Sequence, residues 1–315
     1  MRNALGSRPF SFVDGFAMMV TDSQKVTMAR GIDHIVHAVR DLDRGAELYR
    51  KLGFTVGARN KHPWGTHNHI VQFSGCFIEL VAFVEPDKLS TDDISRLFAV
   101  YNRDFAAAHE GLSMLILESQ DSGHDVADFR VAGIAGSDQL RFERDAKRPD
   151  GSTVKVGFSL AFAEDRNAPE AHFATCQQHF PENFWNPAFQ KHANSVAGIA
   201  AVVAVADEPA AHRDMLRAFS GSNDIREEGA AFAIALPRGA IEVMTGAEFV
   251  RRYGVPAPDT AGGLRIAALR FATANPAAAR ALIGAAGIPS RHAGGALVVQ
   301  PAAGLGATLL FAAAG

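Results

Sequence analysis

The sequence predicts an α+β fold of four strand-helix-strand-strand-strand (βαβββ) units, paired into two halves with curved mixed sheets. Three observations carry this. One such unit is legible from Gly31 to Phe83, weaker copies of it follow along the 315 residues, and its closing strand Gly75-Cys-Phe-Ile-Glu-Leu-Val-Ala-Phe83 is echoed by Gly239-Ala-Ile-Glu-Val243. A unit of this kind covers one sheet face with its helix and leaves the other bare. Two units side by side therefore enclose a concave surface, where a substrate belongs.

The first unit opens with the apolar strand Gly31–Val39. Asp41 or Asp43 can cap the following helix, whose apolar face is Ala46, Leu48, Tyr49 and Leu52, and Gly53 ends it. Phe54–Ala58 reads as a strand, Arg59–Thr66 as a loop, and His67–Phe73 and Gly75–Phe83 as strands. The second unit is the most diverged: Gly111–Glu118, a weak helix His124–Val131, then Gln139–Arg144, Thr153–Ala163 and His172–Gln178. The third has strand Gly198–Val205, helix Asp207–Phe219, strand Ala231–Leu236 and the closing strand named above. The fourth has Leu264–Phe271, helix Pro276–Ala286, Ala296–Gln300 and Ala307–Phe311. Pro86–Glu110 and Phe180–Asn194 read as connections, the second as the boundary between halves. The expected domains are a flexible N-terminal extension over 1–28, an N-terminal two-unit domain over 29–181 and a degenerate C-terminal one over 192–315.

Hydrophobic residues make up 48% and charged residues 21%, as in globular proteins. A net charge of −3 gives no electrostatic reason to expect nucleic acid or an anionic membrane as partner. The expected partners are a small-molecule substrate and, as an arrangement left open, a second copy in a homodimer. Cys76 and Cys176 are too few for a disulfide scaffold and lack metal-type spacing, which points to a reducing cytoplasm. Asp14 and Gly15 interrupt the apolar stretch near the start, so no signal peptide is expected, and no run of 18 apolar residues suggests a membrane span. Met28 directly precedes the first strand, and Met1–Thr27 is read as an upstream extension that packs little.

His34 and Glu79 are the chemically informative pair. Glu79 stands between Ile78 and Leu80 in an apolar strand, and burying an unpaired carboxylate costs several kcal/mol or shifts its pKa. A divalent cation shared with the His34 imidazole would compensate it, since one nitrogen and one charged oxygen suit Zn, Fe, Mn or Ni. A metal-free His–Glu hydrogen-bonded pair is the plainer alternative. His37 lies on the opposite strand face by alternation and reads as structural.

The run Gly31-Ile-Asp-His-Ile-Val-His-Ala-Val-Arg-Asp-Leu-Asp43, with Leu-Tyr-Arg-Lys-Leu-Gly-Phe54 at the helix end and Ile-Glu-Leu80 closing the unit, resembles the vicinal oxygen chelate superfamily. That superfamily includes glyoxalase I, bleomycin-resistance proteins and extradiol dioxygenases. Within it the chain is most similar to the glyoxalase-like domain branch, which His62-Pro-Trp-Gly-Thr-His-Asn68 also fits. The resemblance spans about residues 30–85 and is topological beyond. It implies a cup-shaped active site in which His34 and Glu79 bind a divalent metal, and a metal-dependent lyase, isomerase or dioxygenase that chelates two oxygens of a small substrate. A binding or sequestration protein using the same cup is the alternative. The second unit should supply further ligands, but its first strand offers Ser113 and Met114 instead of histidine.

His69 and His179 are the candidates for a third ligand or an acid/base. His67 and His69 share one strand face, and Thr175, Gln177 and His179 alternate on another. His62 and Trp64 read as a rim or lid, with His67, Asn68 and Gln177 as further substrate contacts. The stretch from Gln177 to Asn186, dense in amides and aromatics, could close the first cup or merely pack at the boundary. Glu242 repeats Glu79, but seven residues before Asp207 stands Ala200 where His34 stands before Asp41, so the second half lacks its own pair. No nucleophile elbow or P-loop occurs, and Gly304-Leu-Gly306 is too short for a dinucleotide fingerprint.

Overall fold

The computed structural model describes residues 28–147 and 151–314. The expected N-terminal extension, Met28 apart, lies outside the described residues.

The first unit is β1 (Ile32–Ala38), α1 (Leu42–Lys51), β2 (Asn60–Lys61), β3 (Thr66–Gln72) and β4 (Phe77–Phe83). A connecting helix is π-helical over Ser95–Val100 and continues as α2 (Tyr101–Ala108). The second unit is β5 (Gly111–Glu118), α3 (Ser122–Ala132), β6 (Leu140–Lys147), β7 (Thr153–Ala163) and β8 (His172–Gln178). After α4 (Pro181–Phe184), the third contains β9 (Val196–Val205), a 3-10 turn Pro209–His212, α5 (Arg213–Ser220), β10 (Ile225–Glu228), β11 (Ala231–Ala235) and β12 (Ala240–Met244). Then α6 (Gly246–Tyr253) leads to β13 (Arg265–Thr273), α7 (Pro276–Ala285), β14 (Ser290–Ala293), β15 (Ala296–Val299) and β16 (Thr308–Ala313).

These strands form two eight-stranded mixed sheets, ordered β2-β3-β4-β1-β5-β8-β7-β6 and β10-β11-β12-β9-β13-β16-β15-β14. The two orders match position by position. In each, the unit's first strand pairs parallel with its last and antiparallel with the first strand of the next unit: β1 with β4 and β5, β9 with β12 and β13.

Local chemistry sets the elements. Asp41 caps α1 by accepting from the Asp43 and Arg44 amides, Asp43 sits in the first turn and Arg50 and Lys51 in the last, matching the helix dipole. Gly53, at φ 88, ends it in the left-handed region. One apolar core joins the halves. The helix-covered faces of both sheets contribute to it, with Ile35, Ile78 and Leu115 from the first and Val202, Leu269 and Phe271 from the second. Phe54 packs at this junction against Phe73, Phe271 and Phe311 at 5.2–6.0 Å. His37 is fully buried there and bonds Tyr49 Oη and the Leu305 carbonyl, on the opposite side of β1 from the cup. The other face of each sheet has a separate core.

Several boundaries differ from expectation. Phe54–Ala58 is not a strand: Phe54 leaves the sheet plane for the core, and pairing resumes only at Asn60–Lys61. Pro86–Glu110, expected as a connection, carries the helix whose Phe98 and Ala99 pack into the first cup. The expected helix Asp207–Phe219 begins only at the Pro209 turn, and β10, β14 and α6 were not anticipated. Both strands are four residues long with mostly exposed side chains, so they show little apolar alternation.

Candidate functional site in the first cup

The site begins with a bulge. The pairing of β1 with β5 slips between Ile32 and His34, which lets the consecutive residues Asp33 and His34 lie side by side instead of on opposite faces. Asp33 Oδ1 takes His34 Nδ1 at 2.5 Å, and its Oδ2 accepts from Gln178 Nε2 at 2.9 Å. The His34 ring lies flat on Phe77, its cross-strand neighbour, with centroids 4.3 Å apart. With Nδ1 engaged, Nε2 is the nitrogen that faces Glu79 Oε2, 3.8 Å away.

Glu79, on β4, is buried, and Asn68 Nδ2 donates to its Oε1 at 2.6 Å. Asn68 Oδ1 in turn accepts from Asn60 Nδ2, which fixes the amide's orientation. His62 Nε2 is 3.6 Å from the same Glu79 Oε1, and its Nδ1 is held by Thr66 Oγ1 at 2.8 Å. Trp64 stacks on His62 in a turn that requires glycine at position 65: at φ 91, a Cβ there would meet the Glu85 carbonyl at 2.3 Å. Burial pushes the Glu79 carboxyl up from its ordinary value, against the pull of His34, the Asn68 bond and Arg144. Burial, aided by Arg144 and His67, lowers His62 to about 3, so this imidazole is neutral at physiological pH.

These groups line one cavity. Its polar floor is His34, His62, Asn68 and Glu79, its walls are Trp64, Phe98, Phe142, Phe158 and Phe184, and the second unit adds Ile116, Leu160 and Cys176. The cavity volume is about 50 Å³, room for a few small groups at ~10–15 Å³ each. Among the described residues, Trp64 Nε1 and Arg144 Nε are buried without hydrogen-bond partners.

Of the residues singled out in the sequence, His34, His62, Trp64, Asn68 and Glu79 come together. The other four lie elsewhere. On β3 the cavity face carries Asn68 and Ile70, so alternation turns His67 and His69 away: His67 Nε2 is 3.1 Å from Glu85 Oε2, and His69 Nδ1 bonds the Gly57 carbonyl. On β8 the cavity face carries Cys176. Gln177 therefore points to the start of α3, bonding Ser122 and the Gln120 carbonyl, and His179 Nε2 meets Ser159 Oγ at 2.7 Å. Asp33, Cys176 and Arg144 were not singled out. Asp33 depends on the bulge, which sequence alternation hides. Arg144 shares the less exposed face of β6 with Phe142 and Ala146, but only the sheet order brings that face to the first unit.

The donor set can be tested against a divalent ion. His34, anchored through Nδ1 by a carboxylate, has the outer support that metal-ligating histidines carry, and Glu79 Oε2 lies within the span of two ligands on one ion. Among the described residues, one group of three donors lies within 4.8 Å mutually, Asp33, His34 and Cys176, but Asp33 is already bonded to His34. Burial holds the Cys176 thiol well above its usual range and hence protonated. The residues fit an ion held by two protein ligands, with its other positions left to water or substrate oxygens.

The second sheet differs at the matching place. Val36 pairs with Glu79 and Val203 with Glu242, so the position equivalent to His34 is Ala201, one beyond the Ala200 that spacing suggests. Glu242 forms an ion pair with Arg270, and Phe249 and Tyr253 of α6 pack onto that face.

A family whose sequence model is described as a glyoxalase-like domain matches residues 32–219. Among curated proteins none matches the sequence. A hypothetical protein from Staphylococcus aureus is 14% identical, with 90% of this chain and 98% of that chain covered and a TM-score of 0.63. A xylose isomerase-like TIM barrel/4-hydroxyphenylpyruvate dioxygenase fusion protein is 13% identical over 84% of this chain and 40% of its own, TM-score 0.47. A Streptomyces coelicolor methylmalonyl-CoA epimerase in complex with 2-nitronate-propionyl-CoA is 18% identical over 47% of this chain and 97% of its own, TM-score 0.31. The first of the three is similar enough to show a shared fold. Among the described residues, no helix is long and apolar enough to cross a membrane.

Proposed function

Because the chain belongs to the glyoxalase-like domain family of the vicinal oxygen chelate superfamily, we propose that it is an enzyme that moves a proton on a small oxygenated substrate in the N-terminal cup. One observation carries this reading: a buried carboxylate, Glu79, faces a small aromatic-walled cavity and is flanked by two imidazoles and an amide. A carboxyl whose pKa is raised by burial is a stronger base once ionised than an exposed one. Glu79 would take the proton from a carbon next to a carbonyl, the C–H electron pair becoming the enolate. The Trp64 Nε1 donor, buried without a hydrogen-bond partner among the described residues, would offset the charge on the enolate oxygen. His34, fixed by Asp33, and neutral His62 would orient the substrate oxygens.

A divalent ion is the second reading, favoured by the 3.8 Å spacing of His34 Nε2 and Glu79 Oε2. His34 and Glu79 would hold it, and it would supply Lewis-acid polarisation of substrate oxygens.

The test is deuterium exchange, followed by NMR, into a panel of 2-oxo acids and 1,3-dicarbonyl compounds with wild type and Glu79→Gln. Exchange by the wild type alone supports proton transfer; equal exchange by both rejects Glu79 as the base. Saturable binding without exchange would point to a sequestration protein. Elemental analysis of protein purified without chelator or nickel resin decides the ion: stoichiometric metal, lost in His34→Ala, supports it, and none removes it.

A further inference from the structure

The inner cavity does not stand alone. A larger, more open cleft adjoins it and shares three lining residues with it, Ile70, Arg144 and Phe184. The cleft has a volume of about 510 Å³, against about 50 Å³ for the inner cavity. Strand β6 runs along both: Phe142 lines the inner cavity, Ala146 the outer cleft, and Arg144 between them lines both. The outer cleft has an apolar side of Val154, Val156, Trp185, Pro187 and Phe189, while its polar lining includes amides, the carboxylate of Glu182 and a second cation, Lys147.

Arg144 is the unusual group at this threshold. It is half-buried, its Nε is buried with no hydrogen-bond partner, and its one hydrogen bond among the described residues is a 3.4 Å contact to the neighbouring Asp145 carbonyl. No carboxylate lies within ion-pair distance of it among the described residues, although most other arginines of the chain have such a partner. Burial lowers its pKa while Glu79 raises it, so the guanidinium carries a desolvation cost that no protein anion fully offsets. A planar guanidinium left open in this way matches a carboxylate, which can take two parallel N–H···O bonds.

We infer that the substrate is an amphipathic carboxylic acid whose carboxylate docks on Arg144, with its reactive carbon in the inner cavity beside Glu79 and an apolar chain lying in the outer cleft. This rests on the reading of the first cup as a substrate site and adds the substrate class. Acids too short to leave the inner cavity would use only part of the site.

The chain has two tryptophans, Trp64 lining the inner cavity and Trp185 the outer cleft, so each compartment carries its own fluorophore. Binding of 2-oxobutanoate, 2-oxooctanoate and the neutral ketone 2-octanone is followed by emission in wild type and in the single-tryptophan variants Trp64→Phe and Trp185→Phe. The expected result is that 2-oxooctanoate perturbs both tryptophans and 2-oxobutanoate only Trp64, with 2-octanone binding about tenfold or more weakly than its acid. Arg144→Met should remove the preference for acid over ketone, and Arg144→Lys should restore part of it, which an unfolded variant could not do. Val154→Trp, read by affinity, should reduce 2-oxooctanoate to the level of the short acid. Unchanged acid affinity in Arg144→Met, no gain from chain length in wild type, or no saturable binding of either acid at millimolar concentration would each overturn the inference. The two readings fail separately: acid binding that needs Arg144 without proton exchange would sink only the proposed reaction, and exchange indifferent to Arg144→Met would sink only this one.

Discussion

Asp33 holds His34 from the position immediately before it, through a 2.5 Å contact to Nδ1 that an unbroken strand could not make. The bulge in β1 makes it, and Gln178 across the sheet fixes the second carboxylate oxygen. The imidazole therefore presents Nε2 to the cavity in one orientation and one tautomer. Asp33→Asn leaves the size unchanged but weakens that control. Activity should fall about 10–100-fold. Asp33 acts through His34, so His34→Ala and the double variant should lose about the same amount; additive losses would separate the two residues.

Glu79→Gln should stabilise the fold at neutral pH while removing activity. A raised folded pKa means that the native carboxyl keeps its proton above pH 4.5, where the unfolded one has lost it. The stability this confers is complete below 4.5 and is lost as pH rises through the folded value. Glutamine keeps the acceptor for Asn68 and has no charge to bury. The Tm difference between variant and wild type should favour the variant at pH 7 and shrink below pH 4.5; a variant less stable than wild type at pH 7 would contradict the burial cost.

His62 acts with the opposite sign. Its folded pKa of about 3 lies below the ordinary 6.5, so its contribution is present above pH 6.5 and is lost as pH falls toward 3, where the unfolded imidazole binds a proton that the folded one refuses. His62→Gln should flatten the fall in stability between pH 6.5 and 3, read from urea midpoints across that window. Parallel curves for the two proteins would show that His62 titrates without strain.

The repeat was legible because the first unit states it strongly: an aspartate cap, a glycine stop and an apolar closing strand with one carboxylate in it. His34, Glu79, His62, Trp64 and Asn68 could be gathered for the same reason, their spacing along adjacent strands and one loop. What the sequence hid is register. One residue of bulge brings Asp33 beside His34, and one residue of parity on β3 and β8 decides that Asn68 and Cys176 face the cavity while His69 and Gln177 do not. Arg144 comes from the second unit, whose contacts with the first unit depend on sheet order that periodicity does not encode.

Phe54 was read as part of a strand, and its actual place makes a stability prediction. It is almost fully buried against Phe73 from its own half and Phe271 and Phe311 from the other. Phe54→Ala should cost about 3–5 kcal/mol, as large-to-small changes in a core do. Because the contacts cross between sheets, unfolding should remain a single transition, followed by circular dichroism and by tryptophan fluorescence together. A loss below about 1 kcal/mol would mean that the junction closes around the cavity.

Glu242 tests whether the chemistry belongs to one cup. It stands in β12 where Glu79 stands in β4, yet it is ion-paired to Arg270, has alanine at the position of His34, and lies on a face packed by Phe249 and Tyr253. An acid paired in this way has no free charge to offer a substrate, and among the described residues the core on that face contains no imidazole to work with it. Glu242→Gln should leave turnover within about twofold of wild type and cost at most about 1 kcal/mol, the range of a partly exposed ion pair. Glu79→Gln, the same change at the matching position of the first sheet, should remove activity. Loss of turnover in Glu242→Gln with an unchanged melting temperature would move the site to the second half.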